Sequence, residues 1–238
     1  MPDTRTHRGP HPQDARLFSP DHYATLQAAV ADLSWLLGRG YAWKSGLKLV
    51  GDRHGLTQRQ RTAVWRSACG GDALADRRDR ARSPESLRGR PLAVDGYNLL
   101  ITVESALGGG VILAGCDGCY RDLASLHGTY RRVDETLPAI MLIGEYLASL
   151  GVERAEWFLD SPVSNSGRLR GLLLEVAADR GWTWEAQLKQ NPDRHLAACP
   201  HPVASTDSWV LDHCGQWVNL ARGLIEACVP HARVIPLV

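Results

Sequence analysis

The sequence predicts an α/β protein with a mostly parallel β-sheet and flanking helices, preceded by a small all-helical module. From Leu92 onward, short apolar runs alternate with helical stretches, a pattern typical of parallel strands joined by helical crossovers. Before residue 70, apolar residues instead recur at intervals of three and four, which is the spacing of a helix face. The change of period indicates two structural parts.

The composition is that of a globular protein, with 44% hydrophobic and 22% charged residues. No stretch approaches the roughly 20 apolar residues that a membrane helix needs. Residues 1–20 carry Pro, His and charge where a signal peptide has an apolar core. We therefore expect a disordered tail over residues 1–20, a cytoplasmic protein and no membrane partner. A homo-oligomer is compatible with the sequence.

Charge is divided unevenly along the chain. Residues 1–90 hold 16 Lys and Arg against 9 Asp and Glu, an excess of +7, and residues 91–238 hold 11 against 17, an excess of −6. A basic half joined to an acidic half predicts two modules with different roles, and the basic half favours a polyanionic partner. Residues 70–90 mix charges of both signs with Gly and Pro, which predicts a linker or a solvated helix.

The helical module is predicted over residues 21–69, with Asp21 capping its first helix. Its three helices are expected near residues 26–37, 43–52 and 58–68. Thr57 is a predicted N-cap of the third helix. The outline is similar to a helix-turn-helix, in which basic side chains of the third helix would face phosphates: Arg59, Arg61 and Arg66. A three-helix bundle with a solvated basic face explains the same pattern, and both interpretations stay open.

The domain over residues 91–238 alternates between strands and helices. The predicted strands lie near residues 92–95, 111–114, 155–159, 183–188, 202–205, 216–220 and 233–237. The predicted helices lie near residues 97–106, 133–150, 166–180, 207–213 and 221–228. In open parallel sheets, ligands bind beyond the carboxyl ends of the strands.

Three predicted strands end in aspartate. Asp95 ends the apolar run of "LAVDGYNLL", Asp160 ends "AEWFLD" and Asp207 ends "VASTD". Parallel strands place these ends on one sheet edge, where crowded carboxylates repel and have raised pKa values. Mg²⁺ or Mn²⁺, which prefer oxygen ligands, would relieve that repulsion. The alternative for each single aspartate is a helix N-cap. The sequence thus predicts a cation site at these three residues.

The six cysteines include one C-x-x-C pair, Cys116 and Cys119. Structural zinc usually takes four ligands, often as two such pairs, and the sequence has no second pair. We expect this pair to be reduced and free of metal. The alternative is a zinc site completed by Cys199 and His201.

The segments "VDGYNLL", "FLDSPVSNSG" and "VASTDSWVLD" together resemble the PIN-like nuclease superfamily, in particular its NYN-type branch. After residue 20, the whole chain resembles an uncharacterised prokaryotic family that joins a small helical module to a PIN-like domain. The resemblance implies a PIN-like fold in which Asp95, Asp160 and Asp207 bind one or two Mg²⁺ or Mn²⁺ ions and cut RNA. Glu104 or Asp212 is implied as a further acidic ligand.

Polar residues beside the three aspartates are candidate contacts for nucleic acid. They are Asn98, Ser164, Asn165, Ser166, Ser205 and Thr206. Hydroxyl groups and the free N–H groups at a helix start can hold a phosphate. Each has a structural alternative, since the same residue types cap helices and complete turns.

Three classes of function follow from these patterns. The first is a metal-dependent endoribonuclease, with RNA a better expected partner than DNA. The second is a nucleic-acid-binding protein with a decayed PIN-like site. The third is a hydrolase or phosphotransferase acting on a small phosphorylated molecule. Whether the protein is an enzyme stays open at this stage.

Overall fold

Helices and strands alternate along most of the chain in the computed structural model, which describes residues 6–124 and 130–238. The helices are α1 Asp14–Leu17, α2 Tyr23–Leu37, α3 Trp43–Arg53, α4 Gln58–Ser67, α5 Gly71–Arg80, α6 Gly96–Leu107, α7 Thr136–Leu150, α8 Ser166–Arg180, α9 Pro192–Ala197, α10 Ser208–His213 and α11 Leu220–Cys228. The strands are β1 Ala81–Arg82, β2 Pro91–Asp95, β3 Val111–Ala114, β4 Tyr120–Asp122, β5 Arg154–Asp160, β6 Trp184–Lys189, β7 Val203–Ala204, β8 Trp217–Val218 and β9 Arg233–Pro236.

The strands form two sheets. Six parallel strands make the larger one, in the order β1-β8-β7-β2-β5-β6. The smaller sheet has the order β4-β3-β9, with β3 parallel to β9 and antiparallel to β4. The predicted α/β class with a mostly parallel sheet is confirmed. The sequence interpretation found every strand except β1 and β4.

Helices cover both faces of the larger sheet. Val94 and Trp157 belong to the core on the face covered by α6, α7, α8 and α11. Ala93 and Phe158, their neighbours along the same strands, belong to the core on the face covered by α9 and α10. Burial on both faces explains why β2 is apolar without alternation. Within the described residues, no helix is long and apolar enough to cross a membrane.

A glycine allows α6 to begin directly after β2. A Cβ atom at Gly96 would lie 2.5 Å from Leu159 Cδ2 and 2.9 Å from the Phe158 carbonyl oxygen. Real Cβ atoms do not approach other atoms so closely, so a larger residue would push α6 away from β5. Gly96 therefore holds the end of β2 close to its neighbour at the sheet edge where the aspartates lie.

The helical module has the three predicted helices. Thr57 caps α4 in a capping box with Gln60, as its sequence position predicts. Asp21 does not cap α2, which begins at Tyr23 with His22 at the N-cap position. The module is not an independent unit, because its apolar residues share one core with β3 and β9 of the smaller sheet.

The tail predicted over residues 1–20 is packed where the structure describes it, so that prediction is wrong for residues 6–20. Leu17 and Phe18 lie in the core of the module. Asp14 is buried and accepts hydrogen bonds from Arg59, at 2.5 Å from Nε and 2.8 Å from Nη2. Ion pairs with residues far along the chain leave no local pattern, so the sequence did not reveal them. Residues 1–5 lie outside the described part.

The segment over residues 70–90 belongs to the folded body, so the predicted linker is wrong, but the alternative of a solvated helix is confirmed for α5, in which only Arg77 is buried. It forms α5, a 3₁₀ turn at Pro84–Leu87 and β1, which pairs with β8 at the edge of the larger sheet. Arg77 of α5 is buried. One of the charged side chains in residues 70–90, that of Arg77, therefore forms ion pairs inside the protein and does not face solvent.

A buried carboxylate organises those ion pairs. Asp117, in the turn between β3 and β4, accepts from Arg77 Nη1 at 2.7 Å and from Arg121 Nη2 at 2.6 Å. Its side chain is 1% exposed. Burial opposes ionisation, but the guanidinium groups of Arg121 and Arg77 outweigh it and hold the pKa of Asp117 well below its usual range. Arg77 also donates to Asp212, and Arg121 to the Thr206 carbonyl.

Neutralising Asp117 should destabilise the fold strongly. Asp117→Asn leaves the buried guanidinium group of Arg121 without its counter-ion and leaves Arg77 with Asp212 alone, and removing one partner of such a group typically costs about 3–5 kcal/mol. Urea unfolding followed by circular dichroism measures the loss. The matched control is Asp52→Asn, which breaks an exposed pair with Lys48 and Arg61 and should change stability little. Equal stability of the two variants would contradict this assignment.

Candidate functional site

The sheet order brings the three predicted aspartates to one edge. In β7-β2-β5, the three strands are parallel neighbours, so their carboxyl ends point the same way. Asp95 is the last residue of β2, Asp160 is the last residue of β5, and Asp207 follows β7 at the start of α10. Asp95 pairs with Phe158, so Asp160 lies two residues, about 6.6 Å, further along its strand.

Asp95 is the most deeply buried of the three. Its Oδ2 accepts a hydrogen bond of 2.6 Å from the Ser205 hydroxyl. Burial raises the pKa of Asp95 to about 7, although the Ser205 bond opposes the rise, and the negative charges of Asp207 and Asp193 add to it. The carboxyl group is therefore partly protonated near neutral pH.

A fourth carboxylate, Asp193, belongs to the same edge. It lies in α9, just beyond the carboxyl end of β6. Burial raises the pKa of Asp193, and the charges of Asp207 and Asp160 raise it further. Burial also raises the pKa of Asp160. The sequence interpretation missed Asp193, although an acidic residue following a predicted strand in "QLKQNPD" was a usable signal.

Asp207 is a helix N-cap, which is the alternative role that the sequence allows for each of the three aspartates. Its Oδ1 accepts from the backbone N–H groups of Trp209 at 2.9 Å and Val210 at 3.1 Å, and it caps α10. Within the described part of the chain, its Oδ2 accepts no hydrogen bond. The cap fixes the direction of the side chain and leaves one oxygen atom for a ligand.

Asn98, Ser205 and Thr206 build the loop behind the aspartates. Asn98 Oδ1 accepts from the Thr206 backbone N–H and hydroxyl, both at 2.9 Å. The Ser205 hydroxyl accepts from the backbone N–H of Asp207 at 3.0 Å while it donates to Asp95. Ser205 and Thr206 are buried. These three residues therefore position the carboxylates, and phosphate contact stays a prediction for them.

Ser164, Asn165 and Ser166 shape the start of α8. The Ser166 hydroxyl lies 2.8 Å from the Tyr97 hydroxyl and 2.5 Å from the Asp160 carbonyl. Asn165 has a left-handed backbone with φ of +71°, and its Nδ2 donates to the Tyr130 carbonyl at 2.9 Å. The Ser164 carbonyl accepts from the Tyr130 N–H at 3.1 Å. The contacts found are structural, and they hold this loop against Tyr130.

Neither further acidic candidate joins the aspartates. Glu104 lies eight residues into α6, about 12 Å along its axis, and is fully buried. It accepts from the Tyr130 hydroxyl at 2.5 Å, Thr136 at 2.7 Å and Arg8 at 3.0 Å. Asp212 is paired with Arg77 at 2.7 Å. Both carboxylates are committed to other partners, so we correct their assignment as metal ligands.

A crevice of about 370 Å³ opens beside Asp207, between α4 and the carboxyl edge of the larger sheet. Its lining includes Trp65 and Arg66 of α4, Tyr97 and Asn98 of α6, and Asp122 of β4. Arg66 Nη1 donates to the Asp122 carbonyl at 2.6 Å and lies 3.3 Å from its Oδ1. The helical module thus forms one wall of the crevice, a contribution that the sequence interpretation missed.

The basic residues of α4 point to partners within the chain. Arg59 binds Asp14, Arg61 binds Asp52 at 2.8 Å, and Arg66 binds Asp122. A helix-turn-helix that docks on phosphates needs these side chains at its surface. Of the two interpretations left open by the sequence, the structure therefore favours the three-helix bundle.

The aspartates have the ligand chemistry that suits Mg²⁺ or Mn²⁺, but their present geometry does not form a binding site. Carboxylate oxygens at one sheet edge are the ligands that these cations prefer. In residues 6–124 and 130–238, however, no group of three or more His, Cys, Asp or Glu side chains is arranged to hold a metal ion. The residues fit by chemistry, and binding would require their side chains to move closer together.

Fold and crevice together define an α/β protein with an acidic sheet edge and a helical module against it. The chain belongs to the family described as "Domain of unknown function (DUF5616)", whose model matches residues 84–223, more than half of the chain. Residues 25–80 match a second model, "Protein of unknown function (DUF434)". "Uncharacterized protein MJ0935" of Methanocaldococcus jannaschii is 27% identical over 187 residues, which cover 79% of this chain and 89% of the relative. No solved structure matches the chain.

The raised pKa of Asp95 makes a prediction about stability and pH. A carboxyl group whose folded pKa of about 7 exceeds its ordinary value of 3.8 favours the folded state while it is protonated. That contribution is complete below about pH 4 and is lost as the pH rises through 7. The difference corresponds to about 4 kcal/mol. Asp95→Asn keeps an uncharged group there, so it should gain about that much over wild type between pH 4 and pH 8.

Urea unfolding of both proteins across this pH range measures the difference. The control is Glu175→Gln, a neutralised exposed carboxylate on α8. It should follow the wild-type curve. A constant difference between Asp95→Asn and wild type from pH 4 to pH 8 would mean that Asp95 titrates normally.

Proposed function

We propose that the protein is a metal-dependent phosphodiester hydrolase, an endoribonuclease of PIN-like type. One observation carries the proposal: Asp95, Asp160 and Asp193 share a sheet edge with Asp207, burial raises the pKa of the first three, and neighbouring carboxylates raise the pKa of Asp95 and Asp193 further. Such a cluster is costly for folding, and a divalent cation would offset the cost. Carboxylates with perturbed pKa values are typical of functional sites, and Asp207, at the same edge, lines the crevice.

Asp95, Asp160 and Asp207 are the residues that would hold Mg²⁺ or Mn²⁺, with Asp193 in place of the fourth ligand first expected at Glu104 or Asp212. A bound ion supplies an activated water and stabilises charge on the attacking and leaving oxygens. Ser205 orients Asp95, and the cap at α10 orients Asp207. Asn98 holds the loop that carries both Ser205 and Thr206.

The crevice supports a single-stranded substrate. Its volume of about 370 Å³ is at the low end of the range for small-ligand pockets, so it suits one nucleotide unit better than a duplex. Trp65 lines the crevice and stacks on Trp43, with ring centroids 4.3 Å apart. Trp43 is 40% exposed, so the stack extends the crevice outward. Exposed aromatic faces bind unpaired bases of any sequence.

A second candidate is a nucleic-acid-binding protein with a decayed site. The observation that favours it is the engagement of the carboxylates: Asp207 caps a helix, and Asp95 is hydrogen-bonded to Ser205. A proton on Asp95 relieves the repulsion without a cation. In this case the crevice would bind a strand without cutting it.

Cleavage of labelled RNA tests the proposed activity. Wild type should cut single-stranded RNA with Mn²⁺ or Mg²⁺ and not with EDTA. Asp207→Asn should lower turnover by more than it lowers affinity, because the lost group acts on the reacting atoms. Glu175→Gln should cut like wild type. Binding without cleavage would favour the decayed site, and neither binding nor cleavage would favour a small phosphorylated substrate.

Binding of single strands should depend on Trp65. Loss of one stacked base costs about 1–3 kcal/mol, so Trp65→Ala should weaken binding of single-stranded RNA about 5- to 150-fold. Trp65→Phe should restore most of the affinity. The control Trp35→Ala removes an exposed tryptophan outside the crevice. Fluorescence titration with labelled RNA in EDTA separates this effect from cleavage. Unchanged affinity of Trp65→Ala would contradict base stacking on Trp65.

A further inference from the structure

Two cysteines from distant parts of the chain meet beside the helical module. Cys69 lies between α4 and α5, and Cys116 lies in the turn between β3 and β4. The Cys116 backbone N–H donates to the Ser67 carbonyl at 2.9 Å. The Cys116 Sγ lies 3.9 Å from the carbonyl oxygen of Cys69, although 47 positions separate the residues. All six cysteines are free thiols in the structure.

The two thiols are electrostatically unequal. The Cys116 side chain lowers the pKa of Cys69, with a further contribution from the Arg77 guanidinium. Cys69 also lies next to Gly70, the N-cap of α5, and a helix start favours negative charge. The proximity of Cys69, together with burial, raises the pKa of Cys116. Cys69 is thus the nucleophile of the pair, and Cys116 holds the proton.

A cavity gives small molecules a route to the pair. Its volume is about 780 Å³, and Cys69 and Cys116 both line it, together with Ser34, Trp35 and Arg39. This is within the range of pockets that take small-molecule ligands. Cys119 and Cys214 do not line it, and burial raises the pKa of each of those thiols.

We propose that Cys69 and Cys116 form a dithiol site, which a low-molecular-weight disulfide entering this cavity oxidises to an intramolecular disulfide. The site is independent of the nuclease function proposed above. It also differs from the C-x-x-C pair of the sequence, because the partner of Cys116 is Cys69 and not Cys119.

The exchange takes two steps. The Cys69 thiolate attacks one sulfur of the small disulfide, forms a mixed disulfide and releases one small thiolate. Cys116 then loses its proton to that thiolate and attacks the Cys69 sulfur, which releases the second small molecule as a thiolate that takes a proton from solvent. Two protein thiols are oxidised by two electrons, and one small disulfide is reduced to two thiols. The mixed disulfide removes the Cys69 charge that had helped to raise the pKa of Cys116, so the first step favours the second.

The bridge would join the two parts of the chain that match separate family models. Cys69 lies within residues 25–80 and Cys116 within residues 84–223. The turn that carries Cys116 also carries Asp117, whose partner Arg121 donates to the Thr206 carbonyl at 2.7 Å. A disulfide at this turn therefore closes a long loop of the chain and restrains the β3–β4 turn that abuts the crevice.

Oxidised glutathione is the probe for this site. The full chain is incubated with excess oxidised glutathione, its remaining thiols are alkylated under denaturing conditions, and peptides are mapped by mass spectrometry. We expect a peptide cross-link between Cys69 and Cys116 that dithiothreitol reverses. Cys116→Ser should instead keep one glutathione on Cys69, because the second step is blocked. The midpoint of thermal unfolding should rise by about 10 °C in oxidised wild type and not in oxidised Cys116→Ser.

Controls separate this site from ordinary thiol oxidation. Cys214→Ser and Cys228→Ser should form the bridge as wild type does. In reduced wild type, the rate of Cys69 modification should rise with pH through a midpoint below the ordinary thiol value of about 8.5. A bridge between Cys116 and Cys119, glutathione that stays on wild-type Cys69 without a bridge, or modification at exposed Cys228 alone would each overturn the proposal.

Discussion

A single buried carboxylate, Asp117, holds α5, the smaller sheet and the sheet edge with the aspartates in one arrangement. Arg77 of α5 and Arg121 of β4 both donate to it, and the same two guanidinium groups reach onward to Asp212 of α10 and to the Thr206 carbonyl. Burying these charges is tolerable only because each has a partner. Their geometry is therefore demanding, and it fixes how α5, the β3–β4 turn and α10 sit relative to one another. The crevice lies where these elements meet α4, so its shape depends on this network.

The charged residues that line the crevice also have partners within the protein. On its module side, Arg66 is held by Asp122, and on its sheet side, Asp207 is held by the backbone N–H groups of α10. Charges that are already neutralised locally steer a ligand less than their number suggests. The excess of +7 in residues 1–90 is therefore a poor measure of affinity for nucleic acid, because Arg66 and Arg77 are paired with carboxylates of residues 91–238, namely Asp122, Asp117 and Asp212. On the proposed function, base stacking carries a larger share of recognition than charge does.

The sequence revealed what local patterns encode and missed what distant pairs determine. Continuous apolar runs marked the buried strands, and an aspartate at the end of a run marked the carboxyl edge, because strand direction follows from helical crossovers. Thr57 was predictable because a cap is a local interaction. Arg77 was not predictable, since its partners lie 40 and 135 positions away and a charged helix without them is typical of a linker.

Glu104 was misassigned for the same reason: a buried glutamate needs Tyr130, Thr136 and Arg8 to be satisfied, and no local spacing shows that these residues meet it. Asp193 was missed because it lies in the first turn of α9, four residues after the end of β6, and not at the strand end itself.

The carboxylates at the sheet edge can relieve their repulsion in two ways, and these ways compete. A proton on Asp95 removes one charge, which is what a pKa of about 7 describes. A divalent cation would leave every carboxylate ionised and bind them together. A proton and a divalent cation each neutralise negative charge on the carboxylates. Cation binding must therefore release a proton in the pH range where Asp95 titrates. A functional metal site and a decayed one can therefore contain the same residues. They differ in whether a divalent cation or a proton neutralises the carboxylates near neutral pH. Under the proposed function, the Ser205 hydrogen bond stabilises the ionised form of Asp95 and so favours the cation over the proton.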